Sequence, residues 1–417
     1  MNGIEKQAEE KILVLDGAMA TMIQPLELRE DDFRNNDLSG HIIELKGNND
    51  LLNLTRPDVI KDIHRQYLDA GADILSTNTF GANSISQADY STESLVYEMN
   101  YSGAKLAKQA VWEHKRKHHY KPLYVAGSIG PTTKLTSLSP DVNNPGFRAV
   151  SFDQLKDAYI EQARALIDGG VDLFLLETIT DTLNVKAALS ALLFLFAEKG
   201  RRYPIMVSGT ITDASGRILS GQTIEAFVIS ISHAPLFSIG LNCALGAKEL
   251  RPYLEVLNKE CPFLVSTHPN AGLPNQFGGY DQSAEEFAML IDEFAGNGWL
   301  NIVGGCCGTT PKHIAAAADA VRKHTPRKKP FKAPSLRKWA TNYNTVSVIE
   351  KWTSNSSSGG ASFSMSDLLS IISKVEDRAL LNRVKLRFEQ DKKFYHSEQV
   401  LLMNAHILGR YQSLQNS

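Results

Sequence analysis

The 417-residue sequence predicts an α/β fold, a closed (β/α)8 TIM barrel with a C-terminal helical appendage. Three observations lead there. Short β-rich runs recur eight times, longer segments of helical period separate them, and polar residues collect just behind the runs. Strands and helices alternating in this way call for a parallel sheet, and eight units are enough to close it. An open doubly wound sheet is the alternative.

The runs fall at residues 12–15, 73–76, 123–126, 172–176, 205–208, 238–241, 263–266 and 301–303. Amphipathic stretches lie between them, among them 59–70, 154–168 and 284–295, where apolar residues return at three- and four-residue spacing. An internal echo marks the repeated unit. Asp69-Ala70-Gly71-Ala72-Asp73 resembles Asp168-Gly169-Gly170-Val171-Asp172, each with a glycine to end a helix and an aspartate ahead of a strand. Gly71 and Gly170 are expected to supply the left-handed residue that turns helix into strand.

Residues that follow the strands of such a barrel meet at one mouth, where the active site lies. Asp16-Gly17 follows the first run, Ser76-Thr77-Asn78-Thr79 the second, Gly127-Ser128 the third and Glu177-Thr178 the fourth. Ser208-Gly209-Thr210 closes the fifth, Gly240-Leu241-Asn242-Cys243 the sixth, residues 267–272 the seventh and residues 304–311 the eighth. Cys243, Cys306 and Cys307 therefore stand at strand ends. Three thiolates hold Zn²⁺ strongly and leave a fourth position for an incoming sulfur or water. Buried small hydrophobes or a vicinal disulfide are the plainer readings of Cys306-Cys307. The flanking glycines, which let backbone wrap close to an ion, and the third cysteine favour metal. Cys261 precedes a run and is expected to be structural. Taken singly, Asp16 could serve a turn, Glu177 a helix cap and His268 the barrel rim, outside any metal shell.

Length and composition fit one large domain of about 250–300 residues plus an appendage. The apolar fraction of 43% is ample for a core, and a net charge of −2 argues against nucleic acid or an anionic membrane as partner. The first eleven residues are too charged for a signal peptide. The longest apolar stretch, 187–197, falls short of the ~20 residues a bilayer needs. Few cysteines, grouped by chemistry rather than spread as a framework, suit a reducing cytoplasm.

Several segments together resemble a known family. They are Asp16-Gly17-Ala18-Met19, Gly47-Asn48-Asn49-Asp50, Gly71-Ala72-Asp73 with Thr77-Asn78-Thr79-Phe80, Ile211-Thr212-Asp213-Ala214-Ser215-Gly216-Arg217, Gly240-Leu241-Asn242-Cys243 and Gly304-Gly305-Cys306-Cys307-Gly308. All are similar to the homocysteine-binding module of cobalamin-dependent methionine synthase, within the homocysteine S-methyltransferase family. Betaine- and S-methylmethionine-dependent members share the barrel and the cysteine pattern, and the similarity spans residues 12–322. The resemblance implies a Zn²⁺ barrel that presents homocysteine as a thiolate for methylation to methionine. It implies Cys243, Cys306 and Cys307 as ligands, Asp16 and Glu177 on the substrate ammonium, and Ser76, Thr77 and Thr79 completing the pocket. The chemistry is sound in itself: a free thiol, with a pKa near 8.5, is only a few per cent ionised at neutral pH, whereas a coordinated one is deprotonated outright.

The methyl group must come from elsewhere. The Asp-x-His-x-x-Gly signature of cobalamin domains has only a chance near-match, Asp62-Ile63-His64 followed by Tyr67, on an expected barrel helix. The C-terminal segment does not resemble the folate-binding barrel of the long enzyme. The expected donor is methylcobalamin presented by a separate chain, with 5-methyltetrahydrofolate as the ultimate source. S-methylmethionine and betaine are alternatives, and a non-catalytic zinc or thiol sensor is the rival of another class.

The expected organisation is a barrel over 1–325, a basic and Ser/Gly-rich linker over 326–363 and a helical tail over 364–417. Arg327-Lys328-Lys329, Lys332 and Arg337-Lys338 open the linker. In the tail, Leu368, Ile372, Val375, Ala379 and Leu386 share a face, which suggests helices near 366–390 and 397–414. Such a pair either packs on the barrel exterior or docks the cobalamin chain.

Overall fold

The computed structural model describes residues 3–118, 122–213 and 215–328, together with 381, 382, 385 and 407. Eight strands form one parallel sheet: β1 Leu13–Val14, β2 Ile74–Ser76, β3 Tyr124–Ile129, β4 Leu173–Ile179, β5 Ile205–Gly209, β6 Ser238–Gly246, β7 Leu264–Asn270 and β8 Ile302–Val303. Their order is β1-β8-β7-β6-β5-β4-β3-β2, every neighbouring pair parallel. Leu15 bridges Ile74, with the Asp73 amide donating to Val14 at 2.7 Å and the Asp16 amide to Ile74 at 3.0 Å. These bonds close the sheet into the expected (β/α)8 barrel.

Nine of the helices among the described residues frame it. An N-terminal helix, α1 Gly3–Glu10, precedes β1; the rest follow the strands in turn as α2 Pro57–Asp69, α3 Val96–Lys117, α4 Phe152–Gly169, α5 Thr182–Lys199, α6 Ile224–Ile231, α7 Ala247–Glu260, α8 Ala284–Gly296 and α9 Pro311–Val321. Ser151 and Gln154 cap α4 reciprocally, and Gly170 ends it at φ 97°, the left-handed residue its place in the echo called for. Helix α1 has a specific task. Its Ile4 and Ala8 join Leu13, Leu15, Ile74, Leu173, Leu175, Met206 and Leu264 in one buried cluster, plugging the barrel at the N-terminal ends of the strands. The opposite mouth is left for chemistry.

The aspartates of the echo now have a structural reason. Asp73 accepts from the Val14 amide at 3.0 Å and Asp172 from the Val125 amide at 2.8 Å, each steadying the strand before its own. Asn301 repeats the device ahead of β8, accepting from the Val265 amide at 2.9 Å.

Three strands run past the point where their apolar residues stop. β4, β6 and β7 continue through Glu177, Cys243 and His268, and the β4–β5 and β6–β7 registers shift between Leu176 and Ile179 and between Asn242 and Gly246. Bulges of this kind re-aim side chains beside active sites. Arg327, expected in the basic linker, instead belongs to the barrel. It is 4% exposed, and its guanidinium donates to the carbonyls of Phe263, Asn258 and Cys261 and to the Asn258 side chain. A charge so buried persists because carbonyl oxygens absorb its donors.

Residues Lys332–Ser417 form a separate compact unit. Within it Leu381, Asn382, Lys385 and Ile407 are helical, and Leu381 and Ile407 are buried. The remainder of the expected linker and of the helices at 366–390 and 397–414 lies outside the described residues. No helix among the described residues is long and apolar enough to cross a membrane.

Candidate active site

The three cysteines meet. Cys243 arrives at the end of β6, Cys306 and Cys307 just beyond β8, and their sulfurs all lie within 4.8 Å of one another, Cys243 to Cys307 at 3.8 Å. A tetrahedral zinc with Zn–S bonds of about 2.3 Å places its sulfurs about 3.8 Å apart, so the trio fits the ion. The backbone is bent to achieve this. Cys243 and Ala244 sit at φ 59° and 55°, and Thr178 across from them at φ 57°. Left-handed conformations of this kind cost non-glycine residues of order 1–2 kcal/mol each and persist where surrounding structure enforces them.

The enforcing contact is an amide clamp. Asn242 donates from Nδ2 to the Thr178 hydroxyl at 2.9 Å and accepts the Thr178 amide at 3.0 Å, tying the end of β6 to the end of β4. The same Nδ2 lies 3.9 Å from the Cys306 sulfur. Around β8, the Cys306 amide donates to Pro269 at 2.8 Å, the Thr309 hydroxyl to the Cys306 carbonyl at 2.6 Å, and the Gly308 amide to the Thr21 hydroxyl at 2.9 Å. Gly308 has φ 80°, and a Cβ there would collide with Tyr280, so only glycine lets the ring approach.

Three sulfurs this close cannot all ionise without a cation between them. In the absence of one, the Cys243 and Cys306 thiols donate to Cys307, and with the Tyr280 hydroxyl they hold its pKa down to about 3. Cys306 is pushed well up by the proton it gives Cys243 and Cys307 and by burial. At Cys243 the bond from Cys306 works downward, but donation to Cys307 and burial outweigh it and lift the thiol to about 11.

Both expected carboxylates stand at this mouth. The Ser76 amide and hydroxyl each donate to Asp16 at 2.8 Å, and the Ser128 hydroxyl donates to Glu177 at 2.6 Å. Burial nevertheless raises Asp16 well above the usual range, with the Glu177 charge adding to it. Burial likewise lifts Glu177 to about 7 against the Ser128 bond, helped by the Cys307 charge. Two carboxylates pushed up by desolvation form a site that gains from an incoming cation.

Thr77 and Thr79 occupy the next positions of the β2 loop, both buried. Their hydroxyls lie 2.6 Å apart; Thr79 donates to the Ser128 carbonyl at 2.8 Å and Thr77 accepts the Ser128 amide at 2.9 Å. They tie β2 to β3 and hold Ser128 where it can reach Glu177. His268 is 2% exposed, with Nε2 3.9 Å from Glu177. Burial lowers its pKa to about 3, so at neutral pH it is uncharged and the contact is no ion pair. Cys261 is fully buried away from the trio, its sulfur 3.7 Å from the Phe263 carbonyl.

Sequence reasoning missed Tyr280 and the Asn242–Thr178 clamp. Asn242 had a signal, standing directly before Cys243; Tyr280 lies in a loop whose folding back depends on a bridge to Pro274.

A model of the homocysteine S-methyltransferase family matches residues 13–321, the whole barrel. The chain belongs to that family. Among solved structures it is similar to the homocysteine methyltransferase MmuM from Escherichia coli. The metallated form is 22% identical over 75% of this chain and 98% of that one, with a TM-score of 0.58. The oxidized form is 21% identical over 75% of this chain and 96% of that one, with a TM-score of 0.59. At this identity the likeness establishes the shared barrel, and the family match establishes a homocysteine methyltransferase lineage.

Proposed function

We propose that the barrel is a zinc-dependent homocysteine S-methyltransferase that forms methionine, with the methyl group delivered by methylcobalamin on a separate chain and 5-methyltetrahydrofolate as its ultimate source. The observation that carries the zinc reading is the grouping of three sulfurs at tetrahedral spacing on the same mouth as two carboxylates raised by burial. A sensor of metal or thiol has no use for the second half of that arrangement.

Cys243, Cys306 and Cys307 would hold Zn²⁺, which when bound supplies the positive charge that strips the proton from an incoming thiol. The chain's own residues do the rest. Asp16 and Glu177, oriented by Ser76 and Ser128, receive the amino acid's ammonium group and thereby fix the distance from that group to the sulfur. The Asn242–Thr178 clamp keeps Glu177 and Cys243 in register, so substrate and ligand set are positioned as one unit. Tyr280, half-buried against Gly308, donates toward Cys307, tempering its basicity. The homocysteine sulfur then attacks the methyl carbon as the bond from that carbon to the donor breaks.

The cobalamin reading rests on residue similarity to the methionine synthase branch, above all Ser208 to Phe227 and the segments that carry Cys243, Cys306 and Cys307. It agrees with the position of His64, which is fully buried in α2 with its pKa lowered to about 4 and cannot be offered to a corrinoid. The purified chain should methylate homocysteine from methylcobalamin and lose that activity to a chelator. Turnover with betaine or S-methylmethionine alone would replace the donor, and homocysteine-independent zinc binding without turnover would replace the enzyme with a sensor. Removing residues after 330 should leave homocysteine binding intact and, if the tail docks the cobalamin chain, slow transfer from that chain only.

A further inference from the structure

At the end of the barrel opposite the cysteines, the last turns of α2 and α3 bring together Asp69, His114 and His118. The two helices run back from the mouth, so their C-termini lie where β2 and β3 begin. His114 Nδ1 stands 3.3 Å from an Asp69 oxygen. His114 and His118, four residues apart on one helix face, have ring centroids 4.5 Å apart. One ligand atom from each of the three residues lies within 4.8 Å of the others.

We propose that Asp69, His114 and His118 form a second site for a divalent transition ion of the zinc class, independent of the cysteine centre. Imidazole nitrogens with one carboxylate oxygen suit Zn²⁺, Ni²⁺ or Cu²⁺ rather than Mg²⁺ or Ca²⁺, which prefer all-oxygen shells. The spacing agrees. Zinc bonds of about 2.0–2.2 Å to nitrogen and oxygen put tetrahedral neighbours about 3.3–3.5 Å apart. The Asp69–His114 pair already has that separation, and His118, an exposed residue at the helix end, closes the remainder by rotating its side chain.

A second feature favours a cation here. Both helices present the negative ends of their dipoles to the same spot, where unpaired carbonyls attract positive charge. Arg65, one turn before Asp69, is engaged with Asp62 at 2.9 Å, and the other basic residues beside the cluster in sequence are Lys115, Arg116 and Lys117. All three are exposed, and Arg116 lies 4.8 Å over the Trp112 ring instead of reaching toward Asp69. Because the ligands come from two helices, the ion would staple α2 to α3 at the base of the barrel. Water would complete the shell on the open side.

The test is a metal count on the full, untagged chain, with Zn²⁺ and then Ni²⁺ titrated calorimetrically. Wild type should bind two equivalents of Zn²⁺, and His118→Ala should bind one at the same concentrations while methyl transfer is unchanged. Losing a direct ligand should weaken the second site by at least about tenfold, since even outer-shell changes cost that much. A Cys243→Ser, Cys306→Ser, Cys307→Ser variant should keep one equivalent, displaced by His114→Ala but not by millimolar Mg²⁺. A wild-type metal count that neither His114→Ala nor His118→Ala lowers overturns the proposal. Loss of the cysteine centre alone would count against the zinc enzyme and leave this site standing.

Discussion

Replacing Glu177 by Gln should make the metal-free protein more stable at pH 8 while weakening its hold on homocysteine. In the folded chain, burial and the neighbouring Cys307 charge raise Glu177 from its ordinary 4.5 to about 7. At 1.36 kcal/mol per pH unit, that interval corresponds to about 3 kcal/mol. The folded state keeps its proton longer than the unfolded one. Stability therefore falls as pH rises from about 4.5 and levels off above about 7, where the buried carboxylate is fully charged. The side chain is only 14% exposed, so solvent screening takes back little of the effect. Glutamine keeps an acceptor for Ser128 and never ionises. Urea denaturation of chelator-treated protein should thus show little difference between wild type and variant at pH 5, and an advantage for the variant approaching 3 kcal/mol at pH 8. The same substitution removes a charged partner of the substrate ammonium, a loss of about 1.5–3 kcal/mol, so homocysteine affinity should drop roughly 10- to 100-fold with zinc retained. A stability gap that is the same at both pH values would refute the burial argument.

Further expectations bear on the metal centre. Cys306→Ser should lose zinc and turnover together while far-UV circular dichroism stays unchanged, because the plugged core of the barrel does not include the trio. Asn242→Ala removes both bonds of the β4–β6 clamp; it should cost about 1–3 kcal/mol in denaturant stability and weaken zinc 10- to 100-fold in chelator competition, the scale set for outer-shell partners. In Tyr280→Phe, Cys307 loses a donor, so the pH at which the metal-free thiolate is half alkylated by iodoacetamide should rise while zinc is retained.

The barrel was readable because its strands are apolar runs and its helices carry a regular stripe, signals that survive without knowledge of any partner. The cysteines were readable for a related reason: strand ends in a barrel converge, so Cys243 and the Cys306-Cys307 pair had to share a mouth once the eight units were counted. Strand ends proved harder. β4, β6 and β7 extend into polar residues that bond across the mouth, and periodicity stops where apolar side chains stop. The Asn242–Thr178 clamp joins positions 64 residues apart, and Arg327 reaches carbonyls 64 to 69 residues back. No local pattern encodes such contacts. The charge of His268 was equally hidden, since its neutrality follows from burial alone. In the sequence Ser128 is visible only as a polar residue near a strand end and Ser76 as an expected pocket residue, whereas the structure gives both the task of aiming the two carboxylates.

X-ray absorption at the zinc edge, recorded on the loaded protein before and after homocysteine is added, tests the central claim most directly. The account predicts three sulfur neighbours and one light atom at first, then four sulfurs, with one proton released per substrate bound. A shell that does not change on adding homocysteine, or one that never contains three sulfurs, would contradict it.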